Sequence, residues 1–205
     1  MNTGQLILIS APSGAGKTSL VKAALEQDPR LVVCVSHTTR AKRPGETDGM
    51  NYHFVSNAVF NAMIAEDAFL EYAQVFDHQY GTAKSQVTAL VDQGKDVILE
   101  IDWQGAAQVQ KILPGAIGIF ILPPSVEVLA ERLTARGQDS PEVIQRRLAE
   151  AQLEMSKAPD YDFIVVNDNF ATALTDILSI IRAMRLRATA QTRDNSAVKA
   201  ILSAP

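Results

Sequence analysis

A chain of 205 residues, 47% of them hydrophobic and 20% charged, is long enough to bury one domain's core. That balance excludes intrinsic disorder and fibrous repeats. A net charge of −4 and a pI near 5.4 exclude general nucleic-acid binding, so any anion site must come from local clusters of Arg and Lys.

Along the chain, the apolar run at 6–10 predicts a buried strand, and helical periodicity then predicts a helix over 17–27. Its core face carries Leu20, Val21, Ala24 and Leu25. Between strand and helix lie Ala11, Pro12, Ser13, Gly14, Ala15, Gly16, Lys17 and Thr18. They match the phosphate-binding pattern G-x-x-x-x-G-K-[ST] except at its first position, where a compact Ala stands for Gly. Gly14 and Gly16 let main-chain amides turn inward around a phosphate, and the helix that follows presents its positive end to the same anion. Lys17 reaches the β- and γ-phosphates, and the Thr18 hydroxyl ligates Mg²⁺. This stretch predicts a nucleoside triphosphate site.

Further strands are predicted at 31–36, 97–101, 117–122 and 163–167. Helices are predicted at 83–93, 103–112, 125–136, 141–157 and from about 171. Short apolar strands alternating with helices indicate an α/β fold, a P-loop-type parallel sheet sandwiched by helices. Cys34 falls in an apolar run and reads as a small buried hydrophobe. Residues 36–82 break the rhythm with a polar loop, short extended pieces and a helix capped by Ser56, so a small mixed α+β insertion is expected there. Residues 132–157 are the next unit, Arg-rich over 132–147 around a Gly-Gln-Asp-Ser-Pro turn, with Ser140 placed to cap the next helix and Pro141 at its first position. They read as a helical lid. The core is then 1–35, 83–131 and 158–205 of a single domain.

In the last helix Leu174, Ile177, Leu178 and Ile181 share a face that docks on the core. Beyond Arg182, positive charge gathers at Arg185, Arg187, Arg193 and Lys199, read as a solvated helix end, or alternatively as a subunit contact giving a homo-oligomer. The single cysteine, the absence of a signal-like N-terminus and the lack of any membrane-length apolar run give a cytoplasmic expectation without membrane partners.

Asp102, just past the apolar strand, is the candidate for orienting the Mg²⁺ shell through water. Asp102 to Gly105 also spells the D-x-x-G of regulatory GTPases. That reading needs an N-K-x-D segment, and the nearest approach, Asn167, Asp168 and Asn169, lacks the Lys.

The string S-H-T-T-R-A-K-R-P-G-E-x-D-G-x-x-Y-x-F over 36–54 resembles the GMP-binding region of guanylate kinases. F-L-E-Y-A (69–73), Y-G-T (80–82), I-D-W-Q-G (101–105), P-P-S (123–125) and V-N-D (166–168) continue the likeness in order, over residues 4 to 187. The resemblance implies phosphorylation of GMP to GDP by ATP with Mg²⁺, action on dGMP, and a place in purine nucleotide metabolism. It implies that Arg40, Arg43, Tyr52 and Tyr80 hold the GMP phosphate, while Ser36, Glu71, Gly81, Thr82, Glu100 and Asp102 complete the GMP site around the base. Many members carry Asp where this chain has Glu100. It also implies that Arg132, Arg136 and Arg147 are lid and transfer arginines and that Asn167 lies near the adenine. Lys17, Arg43, Arg136 and Arg147 are the implied catalytic set. His37, His53 and His78 match nothing catalytic. A non-catalytic scaffold domain of the same fold is the rival, and the intact Gly16, Lys17 and Thr18 speak against it.

Overall fold

The computed structural model describes residues 4–75, 77–135 and 141–204. The chain opens with β1 (Leu6–Ser10), α1 (Lys17–Gln27) and β2 (Leu31–Val33). It then makes β3 (His37–Thr38), β4 (His53–Phe54), α2 (Asn57–Ala65), β5 (Phe69–Val75) and β6 (His78–Ala83). After these come α3 (Lys84–Asp92), β7 (Asp96–Glu100), α4 (Trp103–Ile112), β8 (Ile117–Leu122), α5 (Val126–Ala135) and α6 (Pro141–Met155). It closes with β9 (Phe163–Val166), α7 (Phe170–Arg185), α8 (Ala188–Asp194) and α9 (Ser196–Leu202).

Five strands pair in parallel in the order β2-β7-β1-β8-β9. Every residue of β1 is buried, because side chains of period two are covered on both faces. Ile7 and Ile9 pack on one face with Leu20 and Val21 of α1 and with Ile177 and Ile181 of α7. Leu6 and Leu8 pack on the other with Val87 of α3 and Val109 of α4. Cys34 is buried in that second cluster.

The expected strand at 31–36 is two structures. β2 ends at Val33, the Cys34 amide still donates to the Ile98 carbonyl, and the chain then leaves for a second sheet. That sheet has the order β4-β3-β6-β5, with β3 and β4 parallel and the other pairs antiparallel. Phe60 of α2 and Phe69 of β5 stack at 4.5 Å to form its small core, and Ser56 caps α2 through the Val59 amide. α5 and α6 share a separate cluster of Leu129, Leu133 and Ala151. The proposed Ser140 cap lies outside the described residues. The C-terminal region forms two additional short helices, α8 and α9, where the periodicity had loosened. Among the described residues no helix is long and apolar enough to cross a membrane.

Candidate active site

The carboxyl end of β1 runs into the phosphate loop. Gly16 sits at φ 95°, open only to glycine at little cost, and a Cβ there would lie 2.4 Å from Asn167 Nδ2. Asn167 Nδ2 donates to the Ala15 carbonyl at 2.7 Å, so the amide braces the loop from behind. α1 starts at Lys17 without a side-chain cap, leaving its first amides for an anion.

In front of the loop lies a cavity of about 360 Å³. Its walls include Ala11, Pro12, Ser13, Gly14, Gly16, Lys17 and Thr18 on one side and Ser36, Arg43, Tyr52, Glu71 and Tyr80 on the other. Glu100, Asp102 and Glu154 also line it. One chamber therefore joins the phosphate loop to the mixed sheet.

Glu71 is 3% exposed, and Thr82 donates to its Oε1 at 2.5 Å. The Thr82 hydroxyl in turn lies 3.2 Å from Ser36 Oγ. Burial pushes the Glu71 carboxyl up to about 7 against the Thr82 bond and the Lys17 charge. Gly105 touches it closely, since a Cβ there would stand 2.4 Å from Glu71 Oε2. Tyr52 and Tyr80 meet edge-to-face at 5.8 Å. Burial pushes the Tyr52 hydroxyl up to about 12, which keeps it a neutral donor.

Several expected contacts are arranged differently. The Arg40 guanidinium is clamped by Glu46 through two bonds of 2.6 and 3.0 Å and lies over the Tyr52 ring, outside the cavity wall. Its fork is filled by a carboxylate six residues along the same loop. Gly81 and Thr82 are buried in β6 behind the cavity. Gly81 gives Phe69 and Phe60 room, because a Cβ would come 3.0 to 3.1 Å from their rings, and Thr82 orients Glu71.

The carboxylate beside Thr18 is that of Glu100, which accepts its hydroxyl at 3.1 Å. Asp102 instead caps α4, accepting the Gly105 amide at 2.9 Å and the Gln104 side-chain amide at 3.0 Å. Arg132 donates to the Asn167 carbonyl at 3.2 Å. Neither it nor Arg147 of α6 lines the cavity, and Arg136 lies outside the described residues.

Three residues that sequence reasoning missed matter here. Glu46 holds Arg40 and also accepts the Arg43 amide at 2.7 Å; it stood in the 36–54 string without a role. Gly105 was noticed only as a letter of the D-x-x-G and I-D-W-Q-G strings, while its structural cause is Glu71, distant in sequence. Glu154 was one polar residue among many on α6. Burial pushes its carboxyl up to about 7, opposed by the Lys17 charge.

A sequence model described as Guanylate kinase matches residues 3–184. A protein named guanylate kinase from Alkalilimnicola ehrlichii is 58% identical over 184 residues, 90% of this chain and 91% of the relative. The chain belongs to the guanylate kinase family. Another guanylate kinase, from Thiobacillus denitrificans, is 52% identical over 195 residues, 95% of this chain and 93% of its own. The crystal structure of guanylate kinase from Anaplasma phagocytophilum superposes with a TM-score of 0.76 at 31% identity, covering 92% of this chain and 89% of that one. The guanylate kinase match takes in the phosphate loop, the mixed sheet and α6, and stops short of α8 and α9.

Proposed function

We propose that this member of the guanylate kinase family moves the γ-phosphoryl group of ATP directly to the 5′-phosphate of GMP, and of dGMP, by in-line displacement. The observation that supports it is the single chamber between the phosphate loop and the buried Glu71. The loop amides, the free N-terminus of α1 and Lys17 receive the donor phosphates. Arg43, Tyr52 and Tyr80 receive the acceptor phosphate, and Arg40 joins them once released from Glu46.

Ionised Glu71 accepts from guanine N1–H and its 2-amino group. Adenine has an acceptor at N1 and no 2-amino group, so it would leave the buried carboxylate unpaired. No general base is needed, because the attacking oxygen belongs to an already ionised phosphate. Catalysis is then positioning, charge stabilisation and exclusion of water, with Arg136 and Arg147 acting from the lid.

The oxygen donors of Thr18 and Glu100, 3.1 Å apart, fit a hard cation that keeps most of its waters, as Mg²⁺ does. When bound with ATP, Mg²⁺ supplies neutralisation of the phosphate charge. Thr18 and Glu100 would hold it, with Asp102 further out. A cytoplasmic location and self-association through the C-terminal helices belong to the same proposal. Exposed Leu186, Ile201 and Leu202 support the self-association. Light scattering that returns only the monomer mass at every concentration overturns it.

Parallel assays of ATP consumption with GMP, AMP, CMP and UMP test the main reading. Turnover is expected with GMP, lost in Lys17→Ala. Comparable rates with AMP overturn the role of Glu71. Nucleotide binding without Lys17-dependent turnover would instead indicate a scaffold.

A further inference from the structure

Glu71 lies on β5, and β5 ends the order of the mixed sheet, so among the described residues one edge of its main chain has no neighbouring strand. Such an edge must find its hydrogen-bond partners elsewhere. Tyr72, the residue after Glu71, finds both of its own on one side chain of α4. The Gln108 side-chain amide donates to the Tyr72 carbonyl at 2.8 Å, and the Gln108 side-chain oxygen accepts the Tyr72 amide at 3.2 Å. Gln104, one turn earlier, reaches the Gln74 carbonyl only at 3.5 Å, and its closer bond is to Asp102 at 3.0 Å. Gln108 therefore holds the strand edge.

The same contact extends to the carboxyl. Gly105 and Gln108 are three residues apart and share a face of α4. Gln108 takes Tyr72, while Gly105 leaves the space in which Glu71 lies, since a Cβ there would stand 2.4 Å from Oε2. Thr82 cannot set this placement, because it sits on β6 of the same sheet and travels with Glu71. Leu70 also ties β5 to the core, in the cluster that holds Ala106 and Val109 of α4. Apolar packing is non-directional and tolerates a sliding strand, whereas two opposed hydrogen bonds to one residue do not.

We propose that Gln108 is a positioning residue for the acceptor base: by pairing with both main-chain groups of Tyr72 it fixes β5 on α4 in the register that lays the Glu71 carboxyl against Gly105, and so sets how strongly guanine is preferred.

This inference rests on Glu71 reading the guanine edge, and the experiment separates the two. Inosine monophosphate keeps the N1–H of GMP and lacks its 2-amino group, so the ratio of the two affinities reports where the carboxylate stands. Dissociation constants for GMP, inosine monophosphate and ATP are measured by separate titrations of wild type, Gln108→Leu, Gln108→Glu, Glu71→Gln and the double variant Glu71→Gln with Gln108→Leu. Each protein is first shown folded by its thermal transition. Gln108→Leu removes both bonds at similar volume, and Gln108→Glu keeps the shape but sets a charge against the Tyr72 carbonyl, so either one carries the test if the other does not fold. Both should bind GMP about five- to tenfold more weakly and inosine monophosphate about two- to threefold more weakly, with ATP within about twofold of wild type. In the Glu71→Gln background, Gln108→Leu should change GMP affinity by less than about twofold, because the group it positions is gone. Equal losses for GMP and ATP would make Gln108 a general support of the fold, and equal losses for GMP and inosine monophosphate would detach it from the base preference; either overturns the proposal. Unchanged GMP affinity in the Gln108 variants, or the full loss repeated in the Glu71→Gln background, overturns it too, while a weakened Glu71→Gln keeps the reading of Glu71. If Glu71→Gln itself binds GMP as wild type does, that reading fails and the role of Gln108 goes with it.

Discussion

Glu71 holds its proton near neutrality because the chain buries it, and the guanine contact proposed for it requires that proton to leave. With the carboxyl raised to about 7 in the free enzyme, roughly half of the molecules at pH 7 must lose a proton to accept from the base. Calorimetric titrations of GMP at pH 7 in two buffers of different ionisation enthalpy should therefore show about half a proton released beyond what Glu71→Gln releases. Equal release by the two proteins removes this coupling. Glu71→Gln should also weaken GMP binding about 10- to 100-fold, the loss of hydrogen bonds to a charged group, with ATP binding nearly intact. Gly105 makes a sharper test of position. Its missing side chain is the space in which Glu71 Oε2 lies, so Gly105→Ala must push the carboxylate by about an ångström, since a Cβ would come to 2.4 Å. KM for GMP should rise at least about tenfold while KM for ATP holds. A GMP KM within twofold of wild type would show that the carboxylate has room elsewhere.

At the scale of elements, the C-terminal end of α7 is tied down by Arg185. It donates to Asp96, at the start of β7, at 2.6 Å, and to Asp28, the residue that ends α1. Burial opposes ionisation of Asp28, but the Arg185 bond, the Arg30 amide and the charges of both arginines together outweigh it and hold the carboxyl below its usual range. Arg185→Ala strands two carboxylates that are only 18% and 8% exposed, and should cost about 2 kcal/mol, less than for a fully buried pair. Urea unfolding measures the cost, and kcat per folded molecule should not change. The sequence reading had put Arg185 in a solvated helix end, since nothing within one helix reveals acids 157 and 89 residues away. The phosphate loop, in contrast, was legible because strand, glycines, lysine and helix are contiguous, and Glu71 was legible through its family string. The pairing of Arg40 was not legible for a related reason: its motif shows a basic loop, while Glu46 within the same motif fills the fork. α8 and α9 left no clear period to read, since seven-residue helices complete barely two turns.

For the whole molecule, the chamber stores two carboxyls in an unfavourable place, and the pH dependence of stability should display it. Glu71 and Glu154 are both raised from 4.5 to about 7, so the native chain binds more protons than the unfolded chain between those values. Stability must then fall as pH rises from about 4.5 to 7, by about 3 kcal/mol for a shift of this size on one fully buried carboxyl. His37, held below 6.5 by burial and by His53, works the other way, favouring the fold as pH rises through its range. It is one group against two. Asp28 and Glu46 are held low, the latter chiefly by the Arg40 bond, and their contribution is lost only as pH drops below about 4.5. The nucleotide-free enzyme should therefore be most stable near pH 5, and Glu71→Gln should flatten the decline towards pH 8. On the proposed contacts GMP stabilises the ionised form of Glu71, so its stabilising effect at a fixed saturating concentration should grow from pH 6 to pH 8. Urea midpoints at pH 5, 6, 7 and 8 with and without GMP decide it. A stability maximum at pH 8 without nucleotide would mean that Glu71 and Glu154 are ionised in the free enzyme. The chamber would then already be open to water before either substrate arrives.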